Sequence, residues 1–182
     1  MFTVVQNGEI RQFIQPDTAF TIGERQFSAR FIRNATEAER KAVGVYEIVY
    51  GPRDDERFFW VTGPTYRINE VNQTVEATFA STPKQLEDKT ETPEGATEPI
   101  TTKGLKSQWV AQTKAAAGSA LAQTDWMVIR KAERGVDIPA DVAAARAKIV
   151  ADCATKEAAI LAATTVQQLM DVVAPVNIGM PE

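Results

Sequence analysis

The sequence predicts an α+β fold, with a small antiparallel β-rich N-terminal domain that contains one inserted helix. A linker and an alanine-rich helical C-terminal region follow it. Twelve of the fourteen aromatic residues lie between Phe2 and Phe79, whereas alanine dominates from Ala111 onward. A segment rich in Thr, Pro and Glu separates these two compositions. We therefore predict a β domain over residues 1–82, a linker over 83–104 and a helical region over 105–182.

The N-terminal part contains short segments that are typical of β-strands. They are rich in aromatic and β-branched residues, and Gly, Pro, Asn or Asp separates them. These segments are TVVQN, RQFIQ, FTIGERQFSARFI, YEIVY, RFFWVTG, YRINEV and TVEATFA. Tight turns are predicted at Asn7-Gly8, Pro16-Asp17, Gly51-Pro52 and Gly63-Pro64. Asn7-Gly8 is the best hairpin candidate, because both residues tolerate positive φ.

One helix is predicted inside the β domain, within the segment NATEAERKAVG. Asn34 can cap its N-terminus, and Glu37 follows at the three-residue spacing of a capping box. Gly44 stands where a left-handed terminator is expected. The helix would therefore occupy about residues 35–43.

The segment from Thr82 to Gly104 has the composition of a linker and is expected to be exposed. Helical spacing of Leu105, Trp109, Ala116 and Ala120 then predicts a helix over residues 105–122.

Gly135 and Pro139 predict a turn that leads into another helix. That helix would place four residues on one face, namely Val142, Ala145, Ile149 and Cys153. Two short helices are predicted after it, over residues 156–162 and 166–173. Thr164 and Gln167 have capping-box spacing at the start of the second, and Pro175 would end it. Because alanine faces bury little area, we expect this region to be extended or completed by partners.

The composition excludes several classes of function. The chain has no histidine and a single cysteine, Cys153, so the usual zinc, copper and iron ligand sets and Ser-His or Cys-His nucleophiles are missing. A formal net charge of -4 argues against nucleic-acid binding. No apolar run is long enough to span a membrane, and the N-terminus lacks the pattern of a signal peptide. We predict no catalytic, cofactor-binding or metal-binding residues, an intracellular location and a protein partner.

The consecutive aromatics Phe58, Phe59 and Trp60 are candidate partner-binding residues, since three neighbours on a strand cannot all point inward. One alternative is a strand that is buried on both faces or covered by the inserted helix; the other is an anchor at an interface. Trp109 is a further candidate anchor. The nearby acidic run 54–56, which lies between two arginines, lacks the spacing of a calcium loop and is interpreted as a charged turn.

A motif in the C-terminal half indicates a family. The order Leu121-Ala-Gln-Thr-Asp-Trp126, Met127-Val-Ile-Arg130-Lys, Gly135-Val-Asp-Ile-Pro139-Ala-Asp-Val142 and then Arg146 resembles the C-terminal region of bacteriophage tail fibre assembly proteins and related tail assembly chaperones. The segment NATEAERKAVGVYEIVYGPRDDERFFWVTG is similar to the family's short helix, turn and aromatic strand. The most specific element of the resemblance is Thr124-Asp125-Trp126.

The resemblance implies a non-catalytic protein that helps trimeric tail fibres fold or assemble in the host cytoplasm. Its partner would be the fibre, another tail or baseplate protein, or a second copy of the chain. Trp126 would be a packing anchor, with Thr124 or Asp125 capping or turning the chain beside it. The linker and the helical tail from Cys153 to Val173 depart from the family pattern. They favour the alternative of a permanent fibre or baseplate component, and an enzyme using Asp54, Asp55 or Glu56 is a second alternative.

Overall fold

The computed structural model describes residues 1–15, 17–95 and 97–174. The chain divides into two compact units, Met1–Thr82 and Pro83–Glu182. The first unit is rich in β-strands, and the second is mainly helical. The predicted α+β class, with strands before helices, is confirmed.

The first unit contains a five-stranded sheet and a separate hairpin. The strands are β1 (Phe2–Gln6), β2 (Glu9–Ile14), β3 (Phe20–Ile22), β4 (Arg25–Phe27), β5 (Val45–Tyr50), β6 (Phe59–Asn69) and β7 (Thr74–Pro83). The sheet has the order β2-β1-β5-β7-β6, while β3 and β4 pair with each other. Strand β1 is antiparallel to β2 and to β5, but β5 and β7 run in parallel.

Each face of the sheet has its own apolar core. On one face, the sheet residues Val4, Ile14 and Val45 pack with Phe20 and Phe27 of the hairpin, and the helical insert adds Phe31 and Ile32. The other core consists of Val5, Tyr46, Ile48, Val75 and Ala77. The sheet is curled, so that its own edge strands approach each other over this second core. Alternation along β1 explains why adjacent Val4 and Val5 belong to different cores.

The helical insert differs in detail from the prediction. It contains α1 (Phe31–Asn34) and α2 (Glu37–Ala42), so the end of the predicted strand FTIGERQFSARFI is helical instead. The capping box that starts α2 is formed by Thr36 and Glu39, two residues beyond the predicted pair. Gly44 has the expected positive φ of +79°, and a Cβ there would lie 2.7 Å from the carbonyl oxygen of Val5.

The predicted turns have different outcomes. Asn7 and Gly8 both have positive φ and join β1 to β2, as expected. The turn predicted at Gly63-Pro64 is wrong, because β6 continues through this cis peptide. Hydrogen bonds between β6 and β7 continue on both sides of it, from Thr62 to Ala80 and between the hydroxyls of Thr65 and Thr78. β5 ends before Gly51-Pro52, and Pro16 of the remaining predicted turn lies outside the described residues.

The described residues of the second unit form a β ribbon and four helices. Its elements are β8 (Lys89–Glu91), β9 (Ile100–Thr102), α3 (Leu105–Ala122), α4 (Asp125–Arg134), α5 (Ala140–Ala162) and α6 (Val166–Val173). Helix α3 contacts both α4 and α5, and α6 packs on α5. A salt bridge of 2.7 Å between Lys114 and Glu157 joins α3 to α5. The small core includes the fully buried side chains of Ile160 and Leu169.

Several predictions for this unit need correction. The segment predicted as a linker forms the β8–β9 ribbon, and the side chain of Asp88 accepts a hydrogen bond of 2.8 Å from the backbone of Gly104. The helix over 105–122 is confirmed, whereas α4 was not predicted. The segment 156–162 is the end of α5 and not a separate helix. Thr165, not Thr164, caps α6, and Pro175 lies outside the described residues.

Candidate functional site

Arg146 of α5 holds the junction between α3 and α4. Its guanidinium donates hydrogen bonds to the carbonyl oxygen of Leu121 at 2.8 Å, to the hydroxyl of Thr124 at 2.6 Å and to the carboxylate of Asp125 at 2.8 Å. The planar guanidinium can reach several acceptors at once, which a lysine cannot do in the same geometry. The arginine and the Thr-Asp pair of the motif are therefore parts of one structural joint.

Thr124 and Asp125 turn the chain but do not cap α4 with their side chains. Thr124 occupies the N-cap position, yet it makes no side-chain capping hydrogen bond. Its hydroxyl instead donates to the carbonyl oxygen of Leu121, at 3.1 Å. Of the two roles proposed for these residues, the structure shows the turning role.

Trp126, which was expected to be a packing anchor, is exposed, with 52% of its surface accessible. It lies in the first turn of α4, directly after the joint that Arg146 holds. The guanidinium carbon of Arg130 lies 4.9 Å from the centre of the indole ring. Arg130 therefore makes a cation–π contact with the indole ring but leaves about half of Trp126 exposed.

Trp126 and Ile129 form an exposed apolar patch on α4, called here the α4 patch. The two residues are three positions apart and so lie on the same side of the helix. Ile129 is 56% exposed, and no residue of α4 is buried. An exposed apolar patch on a helix whose start is held in place is a candidate protein-binding surface.

The other predicted anchors lie in different places. Phe58 is buried and Phe59 is half-buried, whereas Trp60 is 65% exposed. Trp60 is therefore the member of this trio that faces outward. Trp109 is half-buried in α3 of the second unit. The structure thus joins Thr124, Asp125 and Trp126 in one site, whereas the aromatic trio belongs to the first unit and Trp109 to α3.

Sequence reasoning missed an aromatic cluster on the inner face of the curled sheet, formed by Phe13, Tyr50, Tyr66 and Phe79. The rings of Phe13 and Tyr66 lie 4.8 Å apart, and those of Tyr50 and Phe79 lie 6.4 Å apart. The hydroxyl of Tyr50 contacts the sulfur of Met1 at 3.3 Å. Period-two alternation could have placed each aromatic on a face, but it contains no information about the curl that joins the edges.

Burial raises the pKa of Tyr66 above its usual value, and the nearby Tyr50 adds to this effect through charge and a hydrogen bond. Both causes favour the neutral phenol. The cluster therefore presents aromatic rings and, at neutral pH, the neutral phenol of Tyr66. Such groups suit contact with a protein surface better than acid–base chemistry.

The acidic run between the strands forms a charged turn. The carboxylate of Asp55 accepts hydrogen bonds from the backbone and the guanidinium of Arg57, and Glu56 pairs with Arg53. Within the described residues, no group of three or more His, Cys, Asp or Glu side chains is arranged to hold a metal ion. Across the same residues, no helix combines the length and apolar composition that crossing a bilayer requires.

Comparisons with protein-family models, with curated proteins and with solved structures found no significant match. The structure shows exposed apolar and aromatic side chains at Trp60, Trp126 and Ile129, and residues of these types are enriched at protein interfaces.

Proposed function

We propose that this chain is a non-catalytic phage tail protein of the fibre assembly type. It binds the tail fibre, or a neighbouring tail protein, and assists its folding or assembly. The main support is the relationship between Arg146 and Trp126. Arg146 fixes the Thr124-Asp125 turn, and the next residue is a tryptophan that remains exposed.

This arrangement suits a protein that binds incompletely assembled fibres. A fibre trimer exposes apolar surface before its chains close, and a tryptophan on a rigid support can cover such surface at low entropic cost. Interface energy usually concentrates in a few aromatic residues within a larger contact. We therefore assign the α4 patch as the fibre-binding site.

Co-expression with the tail fibre protein of the same genome tests this assignment. Ile129→Asp places a charge in the α4 patch and should abolish recovery of the fibre complex and reduce the yield of soluble trimeric fibre. Val128→Asp is the matched control, since it introduces the same charge in the same helix away from the Trp126 side. Equal loss in both variants, or equal binding in both, would contradict the assignment.

A permanent role in the virion is the second candidate function. The segment that contains the β8–β9 ribbon favours it, because its residues hydrogen-bond to the start of α3. The backbone of Leu105, for example, donates to the carbonyl of Gln85, which precedes the ribbon, at 2.9 Å. An adaptor needs such fixed geometry between its parts. Quantitative mass spectrometry of purified particles distinguishes the two roles. A whole-number ratio to the fibre indicates an adaptor, and absence from particles indicates a chaperone.

A further inference from the structure

Arg130 of α4 is a half-buried arginine that forms no ion pair within the part of the chain that the structure describes. The ion pairs of α4 join Asp125 to Arg146 and Lys131 to Asp137, and Arg130 belongs to neither. The Nε of Arg130 is buried and has no hydrogen-bond partner among the described residues. Buried polar groups normally have such a partner, so Arg130 is a candidate to receive one from a binding protein.

Arg130 lies beside the α4 patch. Its guanidinium carbon is 4.9 Å from the centre of the Trp126 ring, and Ile129 is the residue before it. Trp126 and Ile129 are both exposed. The cation–π contact holds the charge next to these two apolar side chains. A protein surface that covers Trp126 and Ile129 would therefore also meet the guanidinium of Arg130.

Covering the α4 patch would remove water from the guanidinium of Arg130. A charge that loses its water weakens binding unless the partner supplies the opposite charge. Arg130 and the indole N–H of Trp126 can only donate hydrogen bonds, so the partner must provide acceptors. A carboxylate provides both the acceptors and the negative charge. Glu133, three residues further along α4, is exposed and does not pair with Arg130, which leaves that position open.

The charge of the chain favours a carboxylate over the phosphates of a nucleic acid. The formal net charge is -4, and Asp125 and Glu133 lie on the same helix as Arg130. A polyanion would be repelled by such a surface, whereas a single carboxylate needs only one positive group. Because Nε is buried, the carboxylate would approach through the two terminal amino groups of the guanidinium.

We propose that the α4 patch binds a protein segment in which an Asp or Glu side chain lies beside aliphatic or aromatic side chains. The apolar side chains cover Trp126 and Ile129, and the carboxylate pairs with Arg130. This pairing makes the surface selective, because an apolar segment without an acid would leave Arg130 desolvated and unpaired. The proposal rests on the proposed role of the α4 patch as a protein-binding site, and it adds the chemistry of the partner.

Selection from a yeast-displayed library of random peptides tests this chemistry without assuming which protein is the partner. Peptides are selected on the full chain, and those that also bind the Ile129→Asp variant are removed. The remaining peptides should carry Asp or Glu beside aliphatic or aromatic residues, and the absence of this enrichment would overturn the proposal. If no peptide depends on Ile129, the α4 patch is not a protein-binding site and the proposal is wrong with it.

Paired changes in peptide and chain test the contact with Arg130 by isothermal titration calorimetry. Replacing the acid of a selected peptide by its amide should raise the Kd for the parent chain at least about tenfold. With Arg130→Met, the acid and the amide should bind alike. Arg134→Met is the matched control, because it removes the same charge from an exposed position of α4 and should keep the preference for the acid. A preference that survives Arg130→Met, or that Arg134→Met removes equally, would overturn the proposal.

Thermal melting separates binding by Arg130 from packing. Arg130→Met should melt close to the parent chain, because no ion pair is lost and methionine can keep a contact with the indole ring. A large loss of thermal stability would assign Arg130 to the packing of its own chain and would overturn the proposal.

The tail fibre protein of the same genome distinguishes this proposal from the proposed function. Loss of fibre binding by Ile129→Asp, together with full binding by Arg130→Met, would keep the fibre assignment and overturn the pairing with Arg130. Acid-dependent peptide binding by a chain that does not bind the fibre would support the pairing and reject the fibre as the partner.

Discussion

Phe13 and Tyr66 lie on the two opposite edge strands of the five-stranded sheet, and yet their ring centres are only 4.8 Å apart. Phe13 belongs to β2 and Tyr66 to β6. Cross-strand pairing places Phe13, Thr3 and Tyr46 on one face, which is the face of the second core. The aromatic contact therefore closes the curled sheet over its own apolar interior.

The contact between Phe13 and Tyr66 should be measurable as a coupling energy. We expect a double-mutant cycle with Phe13→Ala and Tyr66→Ala to give about 0.5–1.5 kcal/mol, the usual value for an aromatic pair beyond its buried area. Urea denaturation provides the free energies of unfolding. Val71→Ala, at a position that is 93% exposed, is the control and should change nothing. Strict additivity of the two substitutions would show that the edges do not support each other.

Stability should fall at high pH because the pKa of Tyr66 is raised in the folded protein. Tyr66 then holds its phenolic proton more tightly in the folded state than in the unfolded state, where tyrosine titrates near 10. The stability that Tyr66 contributes is fully present below the unfolded pKa and is lost as the pH rises through the folded pKa. Absorbance titration of the phenolate measures the shift, and Tyr66→Phe should reduce the pH dependence of melting. Tyr50→Phe should lower the shift without removing it, because burial is its first cause.

The fold class and several elements of this chain could be predicted from the sequence, but α4, the β8–β9 ribbon and the contacts that form the site could not. The bounds of α3 follow from helical spacing alone, and the Asn7-Gly8 turn follows from its tolerance of positive φ. The turn predicted at Gly63-Pro64 was wrong because the pairing of β6 with β7 outweighed the local turn signal. Contacts across the curl join residues far apart in sequence, so no local pattern predicts the meeting of Phe13 and Tyr66.

Arg146 should be essential for the geometry of the α3–α4 joint. We expect Arg146→Ala to destabilise the protein by about 1.5–3 kcal/mol, since it removes hydrogen bonds that involve a charged group. Arg146→Lys should recover only part of this energy, because an ammonium cannot serve the same three acceptors. Urea denaturation followed by circular dichroism provides the measurement. Full recovery of the free energy of unfolding by lysine would show that the positive charge alone matters. It would contradict the role of the planar guanidinium.

The N-cap of α2 is Thr36 and not the predicted Asn34, and substitutions at the two positions should distinguish them. Thr36→Ala should cost about 1 kcal/mol, whereas Asn34→Ala should cost much less, because only Thr36 makes the capping hydrogen bonds. The backbone and hydroxyl of Thr36 also lower the pKa of Glu39. That contribution is present above the unfolded pKa near 4.5 and is lost as the pH falls through the folded value. Thermal melting of both variants at neutral and acidic pH tests these expectations. An equal cost at the two positions would contradict the observed cap.

Two isoleucines of the helical unit allow packing to be separated from binding. Ile160 is completely buried, whereas Ile129 in the α4 patch is 56% exposed. Ile160→Ala should cost about 2–5 kcal/mol, because it removes buried contacts and leaves a cavity. Ile129→Ala should change stability by less than about 0.5 kcal/mol, since its side chain gains little from folding. Urea denaturation measures both values, and fibre binding of the folded variants gives the second readout. A reduced affinity for Ile129→Ala without loss of stability would show that this exposed side chain serves a partner. A large loss of stability would instead assign Ile129 to the packing of the chain itself.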